Sequence, residues 1–331
     1  MMPVHAEQAV SVDTRTVRVA RKTVEAEGIC SFELVDPGGD ALPAFTAGAH
    51  VDVHLPGGLV RQYSLCNDPR ETHRYCIAVL HEPASRGGSK AMHLQIDVDD
   101  RLVLAGPRNH FELAPQAGHT LLLAGGIGIT PILSMAEALH ARGAAFDLHY
   151  CARSSVRMAF TGRLRAAPWA ASVRLHADDG GADQALDLDR LLGDAPPGTH
   201  LYVCGPQGFI GAVLSAAQHR SWPGDRVHRE YFAPPAAAAS SADTAFEVVL
   251  ARSGLRVVVD AGRTVVRALE DAGVTIPVSC EQGVCGTCLT RVIDGVPDHR
   301  DAYLTPEERA AGDQFLPCCS RARGERLVLD L

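Results

Sequence analysis

Three cysteines fall within nine residues of the stretch SCEQGVCGTCLTRVIDG: Cys280, Cys285 and Cys288, spaced C-x4-C-x2-C. Plant-type [2Fe-2S] ligation uses this spacing and needs one more thiolate well downstream. The only later cysteines are Cys318 and Cys319 in FLPCCSR, and spacing allows either as the fourth. Structural zinc prefers C-x2-C pairs. Only Cys285 and Cys288 form such a pair here, and the downstream cysteines are adjacent, so zinc is the poorer fit. Gly283 and Gly286 sit inside the loop, where backbone must wrap closely and turn its N–H groups toward sulfur. The C-terminal part must therefore fold so that four thiols meet at one redox centre.

The rest of the composition is that of an ordinary globular chain. With 331 residues, 46% hydrophobic and 21% charged, it can bury two or three cores. Ten cysteines are too few for a disulfide scaffold of this length, and clustered cysteines in a reducing compartment are more often ligands or redox groups. A net charge of -8 with dispersed Lys and Arg excludes the electrostatic footprint of a nucleic-acid binder. The N-terminal MMPVHAEQAVSVDTRTVRVARK has no signal-peptide core, and no run of about 18 apolar residues predicts a membrane span. A cytoplasmic protein with no nucleic-acid and no membrane partner is expected.

Three segments separate by pattern. From about residue 10 to 115, short alternating runs (TVRVARK, AHVDVHLPGG, VRQYSL, RYCIAVLHE, RLVLAGP) broken by Gly and Pro predict a small antiparallel β-barrel. From His119 the strand TLLLAG leads through GIGIT into the helix PILSMAEALHARG, with Pro131 suited to the first helical position and Gly143 to the stop. The strands FDLHYCA, ASVRLHA, HLYVCG and RVHREYF then alternate with helices, which predicts an α/β, doubly wound parallel sheet. APPAAAASSA reads as a linker, and beyond it two strands and the short helix TVVRALEDAGV precede the cysteines.

Two loops in the middle segment point to a nucleotide. GGIGITP, from Gly125 to Pro131, lies between strand and helix, and CGPQG, from Cys204 to Gly208, ends a later strand. Gly-containing loops at the carboxyl ends of parallel strands form the crevice where open α/β sheets bind ligands. In the first segment, RQYSLCNDP combines Arg61, Tyr63, Ser64 and Leu65, with Arg61, Tyr63 and Leu65 on one face of a strand. RGGSKAMHL adds Gly87, Gly88 and Ser89 at a helix start, a phosphate cradle that, with Arg61, suggests flavin. Cys30, Cys66, Cys76 and Cys151 read as small buried hydrophobes, and Glu307, Glu308 and Arg309 as a solvated helix face capped by Thr305.

RQYSLCNDP, RGGSK, GGIGITP, CGPQG, CEQGVCGTCLTRV, DHRDAYLTPEE and CCSRA, in this order, resemble the phthalate dioxygenase reductase and vanillate O-demethylase reductase family over nearly the whole chain. The resemblance implies a multidomain protein: a flavin β-barrel over 1–115, a nicotinamide domain over 116–233, a linker over 234–242, and an α+β ferredoxin of the β-grasp type over 243–331. It places Arg61 on the flavin phosphate, Tyr63, Ser64 and Leu65 around the isoalloxazine, and Gly87, Gly88 and Ser89 in the phosphate loop. Gly125, Gly126, Gly128, Thr130 and Pro131 would line the dinucleotide, with Cys204, Gly205 and Pro206 beside the nicotinamide. Glu230 and Phe232 match the family's E-x-F, so Phe232 would cover the flavin until nicotinamide displaces it. Ser64, Cys204 and Phe232 would thus stand nearest the transfer chemistry. The pattern Cys-x-Ser-Arg-Ala favours Cys318 over Cys319 beside Cys280, Cys285 and Cys288.

By the same resemblance the cofactors are FMN, NADH and a [2Fe-2S] cluster, and the acceptor is a Rieske-type terminal oxygenase. The sequence CARS at Cys151 supplies no acid for the ribose hydroxyls of NADH, and Arg153 with Ser154 would tolerate a 2'-phosphate. A flavin is the required intermediary, because hydride carries two electrons and the cluster accepts one at a time. A cytochrome P450 or another one-electron acceptor would require the same domains. A non-catalytic sensor is the rival from another class, and it predicts NADH oxidation too slow to support turnover.

Overall fold

The structure is a computed structural model that describes residues 14–83, 87–115, 117–181, 184–232 and 243–331, without the side chains of residues 306 and 307. The expected linker 234–242 and Arg86 of RGGSK lie outside the described residues. By internal contacts the chain divides into two units, residues 1–203 with 222–228, and residues 204–221 with 229–331.

The first unit begins with β1 (Thr14–Ala26), β2 (Ile29–Val35), β3 (His50–Leu55), β4 (Leu59–Ser64), β5 (Tyr75–Leu80), α1 (Gly88–Gln95) and β6 (Arg101–Arg108). These strands form one six-stranded sheet in the order β4-β3-β6-β1-β2-β5, all pairs antiparallel. A bridge between Leu65 and Ile77 joins the two edge strands and closes the sheet into a barrel. Val17, Val19, Phe32, Val51, Val53, Leu65 and Ile77 fill its core. The sequence reading lacked β2. Ile29 to Phe32 are all buried, and alternation appears only from Phe32 to Val35, too short a run to mark the strand.

The doubly wound part follows: β7 (His119–Gly125), α2 (Ile129–Ala141), β8 (Phe146–Ala152), α3 (Thr161–Ala166), β9 (Val173–Ala177), α4 (Leu188–Gly193), β10 (Thr199–Cys204), α5 (Gln207–His219) and β11 (Val227–Glu230). β7, β8 and β9 pair in parallel. The sheet order β11-β10-β7-β8-β9 reverses direction between β7 and β10, the topological switch point of a doubly wound fold. α2 starts two residues earlier than expected, at Ile129, so Pro131 is its third residue. Its missing N–H still falls among first-turn donors that have no partner within a helix.

In the second unit, β12 (Phe246–Leu250), β13 (Arg256–Val259), α6 (Val265–Asp271), β14 (Thr290–Asp294), β15 (Pro297–Asp298), α7 (Pro306–Ala311), β16 (Gln314–Phe315), β17 (Arg321–Ala322) and β18 (Arg326–Leu329) complete the chain. The five-stranded sheet runs β13-β12-β18-β14-β16, with β12 and β18 parallel and β12–β13, β14–β16 and β14–β18 antiparallel. Val265, Val266, Ala268 and Leu269 bring α6 into its core, giving the mixed sheet and helix of a β-grasp fold. Among the described residues no helix is long and apolar enough to cross a membrane.

Candidate functional site

The cysteine loop has no regular strand or helix from Ser279 to Leu289. Its shape is set by what presses on it. Gly283 and Gly286 have φ of +71° and +73°, and a Cβ would lie 2.4 Å from the Cys319 sulfur at Gly283 and 2.4 Å from the Tyr303 ring at Gly286. Both glycines are thus also demanded by packing within the protein. The loop is tied to the next segment by Ala302 N–H donating to the Gly283 carbonyl at 2.9 Å.

Four sulfurs meet there. Cys285 and Cys318 donate hydrogen bonds to Cys280, which hold it well below the ordinary thiol range, and Cys318 also donates to Cys288, which is held below that range too. Cys285 and Cys318 keep the shared protons and are pushed up by those bonds and by burial. Gln282 N–H points at the Cys280 sulfur at 3.3 Å, and Cys285 meets the Thr287 hydroxyl at 3.2 Å. Among the described residues no three His, Cys, Asp or Glu side chains form a single-ion site. The fit to a cluster therefore rests on the donor set: four neighbouring thiols, largely buried, sharing protons that metal ligation would displace. Cys319 is turned toward the Leu316 carbonyl at 3.7 Å, although it also touches Cys318.

Buried charge ties together the segments around this loop, and sequence reasoning missed it. Asp301 is 4% exposed and accepts from the N–H groups of Tyr303 and Leu304 at 3.1 and 2.8 Å and from the Ser320 hydroxyl at 3.3 Å. Arg321, also 4% exposed, donates to the carbonyls of Arg263, Thr244 and Asp260 and lies over the Phe246 ring. Its position after CCS was the only available signal. Thr305 and Glu308 close a capping box, but Arg309 leaves the expected solvated face and donates to the Asp301 carbonyl at 2.6 Å.

On the barrel, Arg61 of β4 packs against the start of α1. A Cβ on Gly88 would stand 2.5 Å from Arg61 Cγ and 2.6 Å from its Nε, so only glycine permits this approach. The Arg61 side chain is thereby brought beside the first turn of α1, with one amino group donating to the Val60 carbonyl at 2.7 Å; a cation beside a helix N-terminus fits a flavin phosphate. Ser89 is turned to Glu82, accepting from its N–H at 3.1 Å. Tyr63 packs against the barrel core, and burial pushes its phenol up. Ser64 and Leu65 are buried.

In the doubly wound part, Gly125 ends β7, Gly126 to Gly128 form a turn, and Thr130 donates to the Ile127 carbonyl at 3.0 Å, which closes the turn onto α2. Such a turn leaves a helix N-terminus open to a dinucleotide phosphate. Cys204 ends β10, fully buried, and burial together with the Glu230 carboxylate keeps it a neutral thiol. Pro206 caps α5, while Phe232 is 39% exposed. A cavity of about 510 Å³, lined by Ser155, Thr161, Arg165 and Ala177 among others, lies by the carboxyl end of β9.

Comparison with known proteins agrees with this arrangement. Residues 248–323 match the 2Fe-2S iron-sulfur cluster binding domain, and residues 106–227 match the N-terminal domain of the dimethylamine monooxygenase subunit DmmA-like family. The chain is 53% identical to vanillate O-demethylase oxidoreductase of Pseudomonas sp. (strain HR199 / DSM 7063), over 95% of this chain and 99% of that one. It is similar to the solved phthalate dioxygenase reductase, described as a modular structure for electron transfer from pyridine nucleotides to [2Fe-2S]. That similarity has a TM-score of 0.73 at 40% identity and covers 96% of this chain and 98% of the other. An intact type IV self-sufficient cytochrome P450 monooxygenase gives a TM-score of 0.86 at 42% identity, covering 96% of this chain and 41% of that chain. At these identities over nearly its whole length, the chain belongs to the phthalate dioxygenase reductase and vanillate O-demethylase oxidoreductase family.

Proposed function

We propose that the protein is the reductase component of a two-component oxygenase or O-demethylase system, taking electrons from NADH and delivering them singly to a Rieske-type terminal oxygenase in the cytoplasm. The observation that carries this reading is the gathering of Cys280, Cys285, Cys288 and Cys318 in a chain that aligns end to end with such reductases. When bound, FMN supplies the conversion of a two-electron hydride into single electrons for the cluster.

The chain's own residues bind and orient. Arg61 with Gly87, Gly88 and Ser89 holds the flavin phosphate, and Tyr63, Ser64 and Leu65 flank the ring. Gly125, Gly126, Gly128, Thr130 and Pro131 hold the dinucleotide, whose adenosine end enters the cavity beside β9. Gly205 and Pro206 position the nicotinamide beside Cys204, whose burial keeps it a neutral hydrogen-bonding thiol rather than a competing nucleophile. Glu230 and Phe232 guard the flavin face, and Cys318 is the fourth cluster ligand because it is the member of its pair that meets both Cys280 and Cys288. No acid–base pair is required for hydride movement, so positioning is the protein's main contribution.

An anaerobic titration with NADH tests this reading: flavin and iron–sulfur absorption should bleach together, and acid should release FMN. A protein that stays colourless after reconstitution with iron, sulfide and flavin would refute it. The match to a self-sufficient P450 supports a second acceptor. Reduction of a P450, but of no Rieske oxygenase, would select that alternative.

A further inference from the structure

Arg163 belongs to no motif, yet it links the two halves of the proposed hydride site. It sits on α3, and its guanidinium bonds in two directions. One amino group donates to the Cys66 carbonyl at 3.0 Å and the other to Glu137 Oε1 at 2.9 Å. Cys66 follows Leu65 directly, at the end of the R-x-Y-S-L strand. Glu137 lies on α2, the helix that opens from the Gly-rich loop. Its second oxygen accepts from the Trp169 indole at 3.2 Å, and Trp169 is 4% exposed with its ring against Phe146.

Each end of this chain of contacts is held by its own surroundings. On the barrel, Leu65 N–H donates to Ala49 and Cys66 N–H to Cys76, both at 2.8 Å, and Asn67 Oδ1 accepts from Cys76 N–H at 2.9 Å. Ahead of α3, Phe160 takes φ of +61°, a conformation that bulky residues avoid, while Ala159 N–H is held by the Tyr150 hydroxyl at 3.1 Å. An ion pair elsewhere between the barrel and this part, Arg157–Glu27, is different in kind: its side chains are 51% and 60% exposed, and such pairs contribute little.

We infer that Arg163 is a positioning residue for hydride transfer, fixing the flavin strand at Cys66 to the nucleotide-loop helix at Glu137 so that both sites keep one spacing. The inference rests on the function proposed above. A small misplacement of reacting groups slows such a step greatly while leaving binding nearly intact.

The test uses the full-length protein with flavin and cluster bound. In anaerobic stopped-flow reduction by NADH, Arg163→Met should slow flavin reduction about 10- to 100-fold, with KM for NADH changed by less than about twofold. Flavin and iron contents should stay unchanged, and hydrogen exchange at the Leu65 and Cys66 amides should accelerate. Arg157→Ala should match the parent. Reduction of Arg163→Met at the parent rate, or a slower rate wholly accounted for by lost flavin, would overturn the inference. If Arg163→Met does not fold, Glu137→Gln decides: a slowing of about 3- to 10-fold is expected, and the parent rate defeats the proposal. If NADH fails to reduce the parent protein, the functional reading fails, whereas amide exchange at Leu65 and Cys66 still reports on the clamp.

Discussion

The proposed flavin site on the barrel and the cysteine loop are held in place by different means. Arg61, Tyr63, Ser64 and Leu65 lie on or just beyond a regular strand whose neighbours are paired by backbone and packed on an apolar core. The cysteine loop has no such ladder; buried Asp301, packed beside Gly283, holds the backbone of Tyr303 and Leu304, and buried Arg321, just beyond Cys318 and Cys319, holds the carbonyls of Thr244 and Asp260. A site on a regular element inherits its rigidity from packing, whereas a site on an irregular loop needs polar staples, because buried backbone groups must be bonded somewhere.

The sharpest way to break the comparison is at the thiols. Cys285→Ser should abolish the cluster, read as loss of iron and of the broad visible absorption, while NADH still reduces the flavin; joint loss of flavin would show that the two supports are not separate. In the barrel, Leu65→Ala removes a fully buried side chain and should cost about 2–5 kcal/mol in denaturant unfolding followed by flavin fluorescence, with iron content unchanged. For the loop, Arg321→Met should cost about 2–3 kcal/mol, read by loss of cluster absorption in denaturant, because the carbonyls of Thr244 and Asp260 lose a charged donor. Retention of the parent midpoint would mean that the staple is dispensable.

Acid should separate the regions by a smaller effect. Burial lowers His149 and His228 in the first unit to about 4, with His176 and His200 beside them adding to the shift. Unfolding lets these rings bind protons at their ordinary pKa of about 6.5. The unfolded state thus holds more protons between about pH 6.5 and 4, and stability should fall as pH falls through that window. His149→Gln should flatten the decline, measured as thermal midpoint against pH. In the second unit, the hydrogen bonds from Arg300 lower Asp243 below its ordinary 3.8, so that contribution persists above this pH and is lost only below it.

How much could be read in advance follows from the range of each interaction. Thr305 was recognisable as a cap because its partner, Glu308, is three residues away. Gly143 was recognisable as a helix stop, and it takes a φ of +66° there. β2 was hidden because its first four residues are all buried, which leaves the period of two only in its second half. Arg309 looked like one member of a charged surface run, and its turn inward to Asp301 depends on a segment eight residues back.

The chain's chemistry is written locally: thiol spacing and loops between strand and helix. These depend on neighbours in sequence, where residue type and spacing carry the physical information. Closure of the barrel through Leu65 and Ile77, the seat of Arg321 among three distant carbonyls and the reach of Arg163 from Glu137 to Cys66 required the folded molecule. Each joins groups far apart in sequence, and only burial, which removes water as the competing partner, makes such a contact the best one available to them.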